Sequence, residues 1–229
     1  MIHSKRVCAL VPIKDHSERV KGKNFRDFGG RPLYHHILAT LDRVYAVDEI
    51  LINTDSERVM EEAPRLSPKI RIVVRPEEIR GDFVSMNKVI AHDLTQSTAD
   101  IFLQTHATNP LLKAETIAEC LRSLVADEEH DSLFTVNAHY SRFYLKDGTP
   151  VNHDPEKLLR TQDLDPLYEE NSSLYVFTQE SFAATGRRIG KTPLMAPIPK
   201  IQSVDIDDEY SFRLAEIMAL YASSIPGGH

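Results

Sequence analysis

The pattern of apolar and polar positions alternates between two periods in the first half of the chain. Compact apolar runs, typical of buried strands, are each followed by a polar loop and a segment with apolar residues at helical spacing. Four repeats of this unit predict a mostly parallel sheet with right-handed crossovers and a site at the carboxyl edge of its strands. The predicted strands are 7–13, 49–55, 70–74 and 101–104, and the predicted helices are 33–47, 56–63, 82–94 and 115–126.

The second half of the chain departs from this repeat. Strand-like runs at 133–136 and 174–177 are separated by a stretch rich in glycine and proline, which breaks any long helix. We interpret 139–166 as an insertion that acts as a lid or a dimerisation arm. A last strand is predicted over 201–206, followed by a helix from 208 to about 221. The length of 229 residues predicts a single domain over 1–229.

Composition narrows the classes of protein that the pattern allows. The net charge of −7 disfavours a nucleic-acid binder held by phosphate contacts. No apolar run reaches the roughly 18 residues that a membrane-spanning helix needs, and the first residues lack the apolar core of a signal peptide. The two cysteines have no metal-binding spacing, which favours reduced thiols. We therefore expect a cytoplasmic protein with neither membrane nor nucleic-acid partners.

The loop after the first strand is cationic against this acidic background. Lys14 and Lys23 supply positive charge, and Ser17 and Asn24 supply polar side chains, which together suit a triphosphate. Neither the P-loop pattern nor the dinucleotide-binding glycine pattern is present in the sequence. The alternative interpretation is a solvated surface loop, which runs of lysine and arginine usually form.

Two aspartates near the C-terminus are candidates for a metal site. Residues i and i+2 of a strand project to the same face, so Asp205 and Asp207 at the end of the predicted last strand could meet one hard cation. Mg²⁺ is the natural cation beside a triphosphate. The alternative is that Asp207 and Asp208 only cap the helix that follows.

Six motifs occur in order along most of the chain. They are VPIKDHSERVKGKN at 11–24, NTDS at 53–56, RPEEIRGDFVS at 75–85, ATNPL at 107–111, ENSSLY at 170–175 and VDID at 204–207. They resemble the motifs of the acylneuraminate (CMP-sialic acid) cytidylyltransferases, which are I-P-A-R-x-x-S-K-x-x-x-x-K-N, S-T-D-S, R-P-x-x-L-x-x-D-x-x-S, P-T-S-P-L, N-G-x-x-Y and I-D-I-D. Each motif is weak alone, but their common order makes the resemblance specific.

The resemblance implies an enzyme that joins a nine-carbon keto-sugar acid to CMP and releases pyrophosphate from CTP. Such a reaction is an in-line attack of the sugar's anomeric hydroxyl on the α-phosphorus, catalysed mainly by positioning and charge neutralisation. The implied fold is a three-layer α/β structure of the nucleotidyltransferase type, which is glycosyltransferase-A-like and Rossmann-like. The insertion at 139–166 would be the dimerisation arm of a homodimer.

The resemblance also assigns roles by position. Lys14 and Lys23 would hold the triphosphate as catalytic residues, and Ser17 and Asn24 would orient it. Asp205 and Asp207 would bind Mg²⁺. The cytidine would be bound by Arg75 and Ser85, and the candidates for contact with the sugar are Gln104, His106, Arg160, Asn171 and Tyr175.

Three positions depart from the family pattern. Lys14 stands where arginine is usual, which keeps the charge but loses the planar fork. His106 replaces a glutamine, and Ser172 replaces the glycine of N-G-x. The acceptor could therefore be a legionaminic, pseudaminic or related acid instead of N-acetylneuraminate. His106 could act as a base or as a hydrogen-bonding pocket residue.

Other interpretations remain open at this stage. Taken singly, Tyr175 could belong to the strand core and Arg160 to the surface. A cytidylyltransferase for the eight-carbon sugar acid shares the I-P-A-R opening, but Lys23 and Asn24 argue against it. A non-catalytic nucleotide-binding regulator is the alternative from another class, and retention of both Asp205 and Asp207 favours the enzyme.

Overall fold

The computed structural model describes residues 2, 4–17 and 20–224, so Glu18 and Arg19 of the first motif lie outside the described residues. The strands are β1 Val7–Ile13, β2 Asp27–Phe28, β3 Arg31–Pro32, β4 Glu49–Thr54, β5 Ile70–Val74, β6 Ile101–Gln104, β7 Ser132–His139, β8 Leu167–Thr178 and β9 Pro193–Pro197. The helices are α1 Leu33–Arg43, α2 Glu57–Glu62, α3 Met86–Leu94, α4 Ala114–Ala126, α5 Gln179–Thr185 and α6 Glu209–Ser224.

A seven-stranded sheet in the order β5-β4-β1-β6-β8-β7-β9 forms the centre of the molecule. The first four strands in this order are parallel to one another. β8 runs antiparallel to both of its neighbours, and β9 is again parallel to β7. The expected mostly parallel α/β sheet is confirmed.

Both faces of the sheet are covered, as the alternation of side chains along β1 requires. Val7, Ala9, Val11 and Ile13 pack on one face with residues of α1 and α4. The intervening Cys8 and Leu10 pack on the other face with residues of α3 and α5. The result is the expected three-layer arrangement, with the strand ends of β1 and β6 side by side at one edge.

The prediction of a last strand over 201–206 is wrong. The last strand is β9 Pro193–Pro197, which pairs with β7 alone at the end of the sheet. Proline is tolerated in an edge strand, because one side of the strand has no partner to receive a backbone hydrogen bond. Val204 and Ile206 gave a strand-like pattern because they pack against Phe28 and Phe212 without backbone pairing into the sheet.

The segment 140–166 connects β7 to β8, where the insertion was predicted. It contains an isolated bridge between Tyr144 and Pro150 and one short 3₁₀ helix, Thr161–Asp163. Six large apolar side chains in the segment are exposed, namely Tyr140, Tyr144, Leu145, Val151, Leu158 and Leu159. Across the described part of the chain, no helix combines the length and apolarity needed to cross a lipid bilayer.

Candidate active site

A cavity of about 490 Å³ lies at the carboxyl ends of β1 and β6. Its wall includes residues of the loop after β1, the loop between β5 and α3, α3 itself, the residues after β6, β8 and the segment before α6. Of the predicted site residues, it is lined by Lys14, Ser17, Lys23, Asn24, Arg75, His106, Asp205 and Asp207. Residues that are distant in sequence are therefore brought to one place by the parallel topology.

Lys14 is fixed at both its backbone and its side chain. The Asn24 side-chain amide donates to the Lys14 carbonyl oxygen at 2.9 Å. At the other end, the Lys14 ammonium donates to the Gly81 carbonyl at 3.3 Å and to Oδ1 of Asp82 at 2.9 Å. The first loop and the loop before α3 therefore face each other across the cavity, with a cation on one side and a carboxylate on the other.

Lys23 connects the first loop to the segment that carries the two aspartates. Its ammonium donates to the carbonyl oxygen of Ile206 at 2.6 Å. The backbone N–H of Ile206 donates to the Thr108 carbonyl at 3.0 Å, and the Ile206 side chain is fully buried. Because Ile206 is held in these three ways, its neighbours Asp205 and Asp207 are placed at the cavity.

The two aspartates are not on a strand, so the same-face argument that predicted their proximity is wrong. They lie in irregular backbone before α6, and they meet at the cavity because of the anchoring of Ile206. The cap of α6 is made by Asp208, whose Oδ1 accepts from the Ser211 N–H at 2.7 Å. Asp205 and Asp207 form a two-carboxylate donor set that fits a hard cation such as Mg²⁺ in the presence of phosphate oxygens. Among the described residues, no group of three potential metal ligands occurs.

Arg75 is a buried arginine that belongs to a network behind the cavity. Its Nε donates to Oδ1 of Asn53 at 2.6 Å, and a terminal nitrogen donates to the Asn53 carbonyl at 2.8 Å. The Asn53 amide in turn donates to Asp93 at 2.5 Å, and burial raises the pKa of Asp93 to about 6. The NTDS motif therefore positions Arg75 at the cavity wall. Ser85 does not line the cavity, and its hydroxyl accepts from the Asn87 N–H as the N-cap of α3.

His106 and Gln104 lie at the end of β6. His106 lines the cavity, whereas Gln104 is fully buried behind it and its Nε2 lies 3.0 Å from Nε2 of His106. Burial, with further contributions from the cations Arg188 and Lys23, lowers the pKa of His106 to about 3. The imidazole is therefore neutral at physiological pH, and its low basicity makes it a poor general base.

Arg188 was missed by the sequence reasoning. It lies in the loop after α5, its guanidinium carbon is 3.6 Å from the centre of the Tyr175 ring, and it donates to the Tyr175 hydroxyl at 2.8 Å. Burial raises the pKa of Tyr175 to about 12, and its hydroxyl also donates to Glu170. Tyr175 is fully buried and does not line the cavity, so it supports the pocket from behind. None of the six sequence motifs contains Arg188, and only the tertiary structure places it beside Tyr175.

The remaining sugar candidates lie outside the cavity. Asn171 is buried, and its Oδ1 accepts from the Thr135 hydroxyl at 2.7 Å, which fixes the irregular part of β8 that presents Ser172 to the cavity. Ser172 has a φ of 56°, the left-handed conformation that glycine adopts most easily. Arg160 is exposed on the insertion and forms an ion pair with Asp163 at 2.6 Å. Arg160 does not line the cavity of its own chain, and this does not fit the prediction that it contacts a sugar there.

The fold and the cavity define a nucleotidyltransferase of the α/β class, with a cationic first loop facing two aspartates. The model of the cytidylyltransferase family matches residues 8–216, and the chain belongs to that family. The chain is 24% identical over 224 residues to the pseudaminic acid cytidylyltransferase of Campylobacter jejuni, a match that covers 93% of this chain and 96% of that protein. It is 26% identical over 224 residues to the N-acylneuraminate cytidylyltransferase of Streptococcus agalactiae, covering 91% of this chain and 52% of that protein.

Solved structures share the fold at low sequence identity. The structure of CMP:2-keto-3-deoxy-manno-octonic acid synthetase complexed with CTP matches with a TM-score of 0.63 and 15% identity, covering 96% of this chain and 100% of that chain. A 4-diphosphocytidyl-2C-methyl-D-erythritol synthase from Anaerococcus prevotii matches with a TM-score of 0.68 and 12% identity, covering 94% and 96% of the two chains. The expected nucleotidyltransferase-type fold is confirmed.

Proposed function

We propose that this enzyme transfers the cytidylyl group of CTP to a nine-carbon keto-sugar acid of the N-acylneuraminate, legionaminate or pseudaminate type. The observation that carries the proposal is the meeting of Lys14 and Lys23 with Asp205 and Asp207 around one cavity. Relatives named for pseudaminic acid and for N-acylneuraminate, both matched over nearly the whole of this chain, support the class of acceptor.

The residues of the cavity suit the triphosphate. Two ammonium groups, Lys14 and Lys23, neutralise phosphate charge as the pyrophosphate leaves, and Ser17 and Asn24 lie beside them as hydrogen-bonding groups. In the reaction, the anomeric oxygen of the sugar forms a bond to the α-phosphorus. The bond between the α-phosphorus and the bridging oxygen breaks, pyrophosphate departs in line with the attack, and the proton of the attacking hydroxyl is released to water.

Asp205 and Asp207 would hold Mg²⁺ against the phosphates. Two carboxylates suffice, because Mg²⁺ is commonly bound by one or two carboxylates together with substrate phosphate oxygens and water. When bound, the ion would polarise the α-phosphate and lower the barrier to attack. The role of the protein is to keep both carboxylates at the cavity, which the hydrogen bond from Lys23 to the Ile206 carbonyl achieves.

We assign His106 and Ser172 to the part of the cavity that binds the acceptor sugar. Both line the cavity, and both stand where the resembling family has another residue. Since the pKa of His106 is lowered to about 3, we assign it a hydrogen-bonding role and not that of a base. An acceptor that differs from N-acetylneuraminate in its polar substituents is consistent with these two replacements.

We further propose that the segment 140–166 forms the interface of a homodimer. Leu158 is 81% exposed, and five other large apolar side chains of the segment are also exposed, which is unusual for a surface that faces only water. A dimer would also give Arg160 a route to the cavity of the partner. Sedimentation of the wild type and of Leu158→Glu tests this: a dimer that becomes a monomer is expected, and a monomeric wild type would refute it.

The proposed reaction is tested by measuring pyrophosphate release with CTP, ATP, GTP and UTP against a panel of keto-sugar acids. We expect turnover that depends on CTP, on Mg²⁺ and on a nine-carbon acid. Turnover with the eight-carbon acid alone would show that the acceptor is this acid and not a nine-carbon acid. CTP binding without turnover for any acid would favour a non-catalytic regulator.

A further inference from the structure

Arg188 is a mostly buried cation to which the proposed reaction assigns no role. Only 18% of its side chain is exposed. One terminal nitrogen donates to Oε1 of Gln104 at 2.6 Å, and the other donates to the Tyr175 hydroxyl at 2.8 Å. The guanidinium also stacks on the Tyr175 ring, and the carboxylate of Glu170 is 3.7 Å away. These contacts hold Arg188 in one orientation behind the cavity.

The contact with Arg188 determines which way the Gln104 amide points. A guanidinium has only N–H donors, so the Gln104 atom that it meets must be the carbonyl oxygen. The amide nitrogen of Gln104 is then the atom that lies 3.1 Å from the Thr105 carbonyl and 3.0 Å from Nε2 of His106. The two N–H groups of the amide are directed to these two acceptors.

The orientation of Gln104 in turn determines the tautomer of His106. Nε2 of His106 receives a hydrogen bond from the Gln104 amide, so it carries no proton. In a neutral imidazole with an unprotonated Nε2, the proton is on Nδ1. The chain of contacts from Arg188 through Gln104 therefore leaves His106 with an N–H donor at Nδ1.

We propose that Arg188 is a positioning residue that acts through Gln104 to fix His106 as the neutral Nδ1–H tautomer, a hydrogen-bond donor to an oxygen of the acceptor sugar acid. The assignment of that oxygen to the sugar acid rests on the proposed function, whereas the tautomer does not. Nε2 is engaged by Gln104 and Nδ1 is protonated, so neither nitrogen is available to remove a proton from the attacking hydroxyl. Burial, together with the charge of Arg188, lowers the pKa of His106 to about 3, which agrees with a neutral ring.

The tautomer is tested by NMR on the protein labelled with ¹⁵N-histidine, without substrate and near neutral pH. Long-range ¹H–¹⁵N correlations distinguish the Nδ1–H, Nε2–H and charged forms, and His106→Gln identifies the His106 signals among those of the 10 histidines. We expect the Nδ1–H form in the wild type. An Nε2–H or charged ring in the wild type would overturn the proposal.

Variants of Arg188 test its part in the effect. Arg188→Met removes the donor to Gln104, so the amide can rotate and the His106 signals are expected to move toward a tautomer mixture. Arg188→Lys retains one donor and should keep the wild-type pattern in part. Arg187→Met is the matched control, because Arg187 is the adjacent and exposed arginine. A wild-type tautomer pattern in folded Arg188→Met would refute the positioning role.

Kinetics distinguish a donor from a base at position 106. Glutamine retains an N–H donor but has no basic nitrogen, so kcat and the KM for the sugar acid of His106→Gln are expected to remain within about 10-fold of the wild-type values. Leucine has no donor, so His106→Leu is expected to raise the KM for the sugar acid about 10- to 100-fold. A loss of about 100-fold or more in kcat for His106→Gln would indicate a general base and contradict the proposal.

In Arg188→Met the KM for the sugar acid should rise while the KM for CTP stays within about twofold of the wild-type value. If the wild type turns over no sugar acid, the proposed function fails, and the NMR result still decides the tautomer.

Discussion

The ammonium of Lys14 lies 2.9 Å from Oδ1 of Asp82, and both residues line the cavity. The pair joins the first loop to the loop before α3, and both side chains are partly exposed. The cation proposed to bind phosphate is therefore partly neutralised by a carboxylate. An incoming triphosphate must share Lys14 with Asp82 or displace it, so binding of CTP and the arrangement of these loops are linked.

Lys14→Met is expected to raise the KM for CTP about 10- to 100-fold, because one charge-assisted contact to phosphate is lost. Lys14→Arg should also weaken CTP binding, since a planar fork replaces the compact ammonium that fits between Gly81 and Asp82. Lys21→Met in the same loop is the control, because Lys21 is exposed and does not line the cavity. Equal effects at Lys14 and Lys21 would mean that the loop acts only through its overall charge.

Asp205→Asn and Asp207→Asn should each reduce Mg²⁺-dependent turnover by about 100-fold or more, since each removes one carboxylate from the proposed metal site. The matched control is Asp208→Asn. Asp208 caps α6, and asparagine is an equally good capping residue, so this variant should keep its activity and its stability. Steady-state rates across a Mg²⁺ titration provide the measurement. An unchanged Mg²⁺ dependence in Asp207→Asn would eliminate the site.

Asn53→Ala should destabilise the protein by about 1 to 3 kcal/mol, because it leaves the buried groups of Arg75 and Asp93 without their shared hydrogen-bonding partner. It should also weaken CTP binding, since Arg75 at the cavity wall is no longer fixed. Urea unfolding and CTP titration measure the two effects. A change in binding with no loss of stability would show that Asn53 contacts the nucleotide directly.

His36 gives the stability of the protein a dependence on pH. Burial lowers its pKa to about 4, whereas an unfolded histidine titrates near 6.5. Between these two values the unfolded chain binds more protons, so the free energy of unfolding falls as the pH falls from about 6.5 to about 4. His36→Gln should show a shallower loss of stability in this window.

The comparison of the two proteins isolates His36 from the other groups that titrate there. Asp93, whose pKa burial raises to about 6, and His106, whose pKa burial lowers to about 3, are present in both proteins. The difference therefore reports His36 together with its interaction with His35, whose pKa burial also lowers. Urea unfolding at several pH values gives the difference in unfolding free energy. A difference that stays constant from about pH 7 to about pH 4 would contradict the assigned pKa of His36.

Ser172→Gly is expected to be more stable than Ser172→Ala by about 0.5 to 1 kcal/mol. A left-handed conformation costs a non-glycine residue about 1 to 2 kcal/mol, and the greater freedom of glycine in the unfolded chain offsets part of the gain. Ser172→Ala keeps the strain and loses the contact with the Tyr175 hydroxyl, so it should be less stable than the wild type. The midpoint of urea unfolding reports both. Both variants lack the hydroxyl, so lower stability for Ser172→Gly than for Ser172→Ala would contradict the assigned backbone strain.

The sequence was most informative where one physical signal dominated. β1 and β6 have the predicted bounds because each is a compact apolar run buried in the interior of the sheet, where apolar character alone determines position. β5 also has its predicted bounds, although it is an edge strand and only partly buried. α1 ends at Arg43 although the apolar spacing continues to Val47, because Val44 and Val47 are buried in a turn without belonging to the helix. The spacing of apolar residues indicates which residues are buried, and a buried residue does not have to belong to a helix or a strand.

The candidate site was predictable only in its loop residues. Lys14, Lys23, Asp205 and Asp207 lie in short polar segments after apolar runs, and the topology gathers such segments at one edge. Arg188 has no comparable signal, because its contact with Gln104 joins residues 84 positions apart through the packing of the loop after α5. Such contacts depend on tertiary structure and leave no periodic pattern in the sequence.

The central claim is that the enzyme couples CMP to a nine-carbon keto-sugar acid, and direct identification of the product tests it best. The purified enzyme is incubated with CTP, Mg²⁺ and each acid of a panel that includes the eight-carbon acid, and the mixture is analysed by mass spectrometry and ³¹P NMR. The account predicts a CMP–sugar in equal amount to the pyrophosphate, with at least one nine-carbon acid preferred over the eight-carbon acid. Pyrophosphate with free CMP in every mixture, or a CMP adduct of the eight-carbon acid alone, would contradict it.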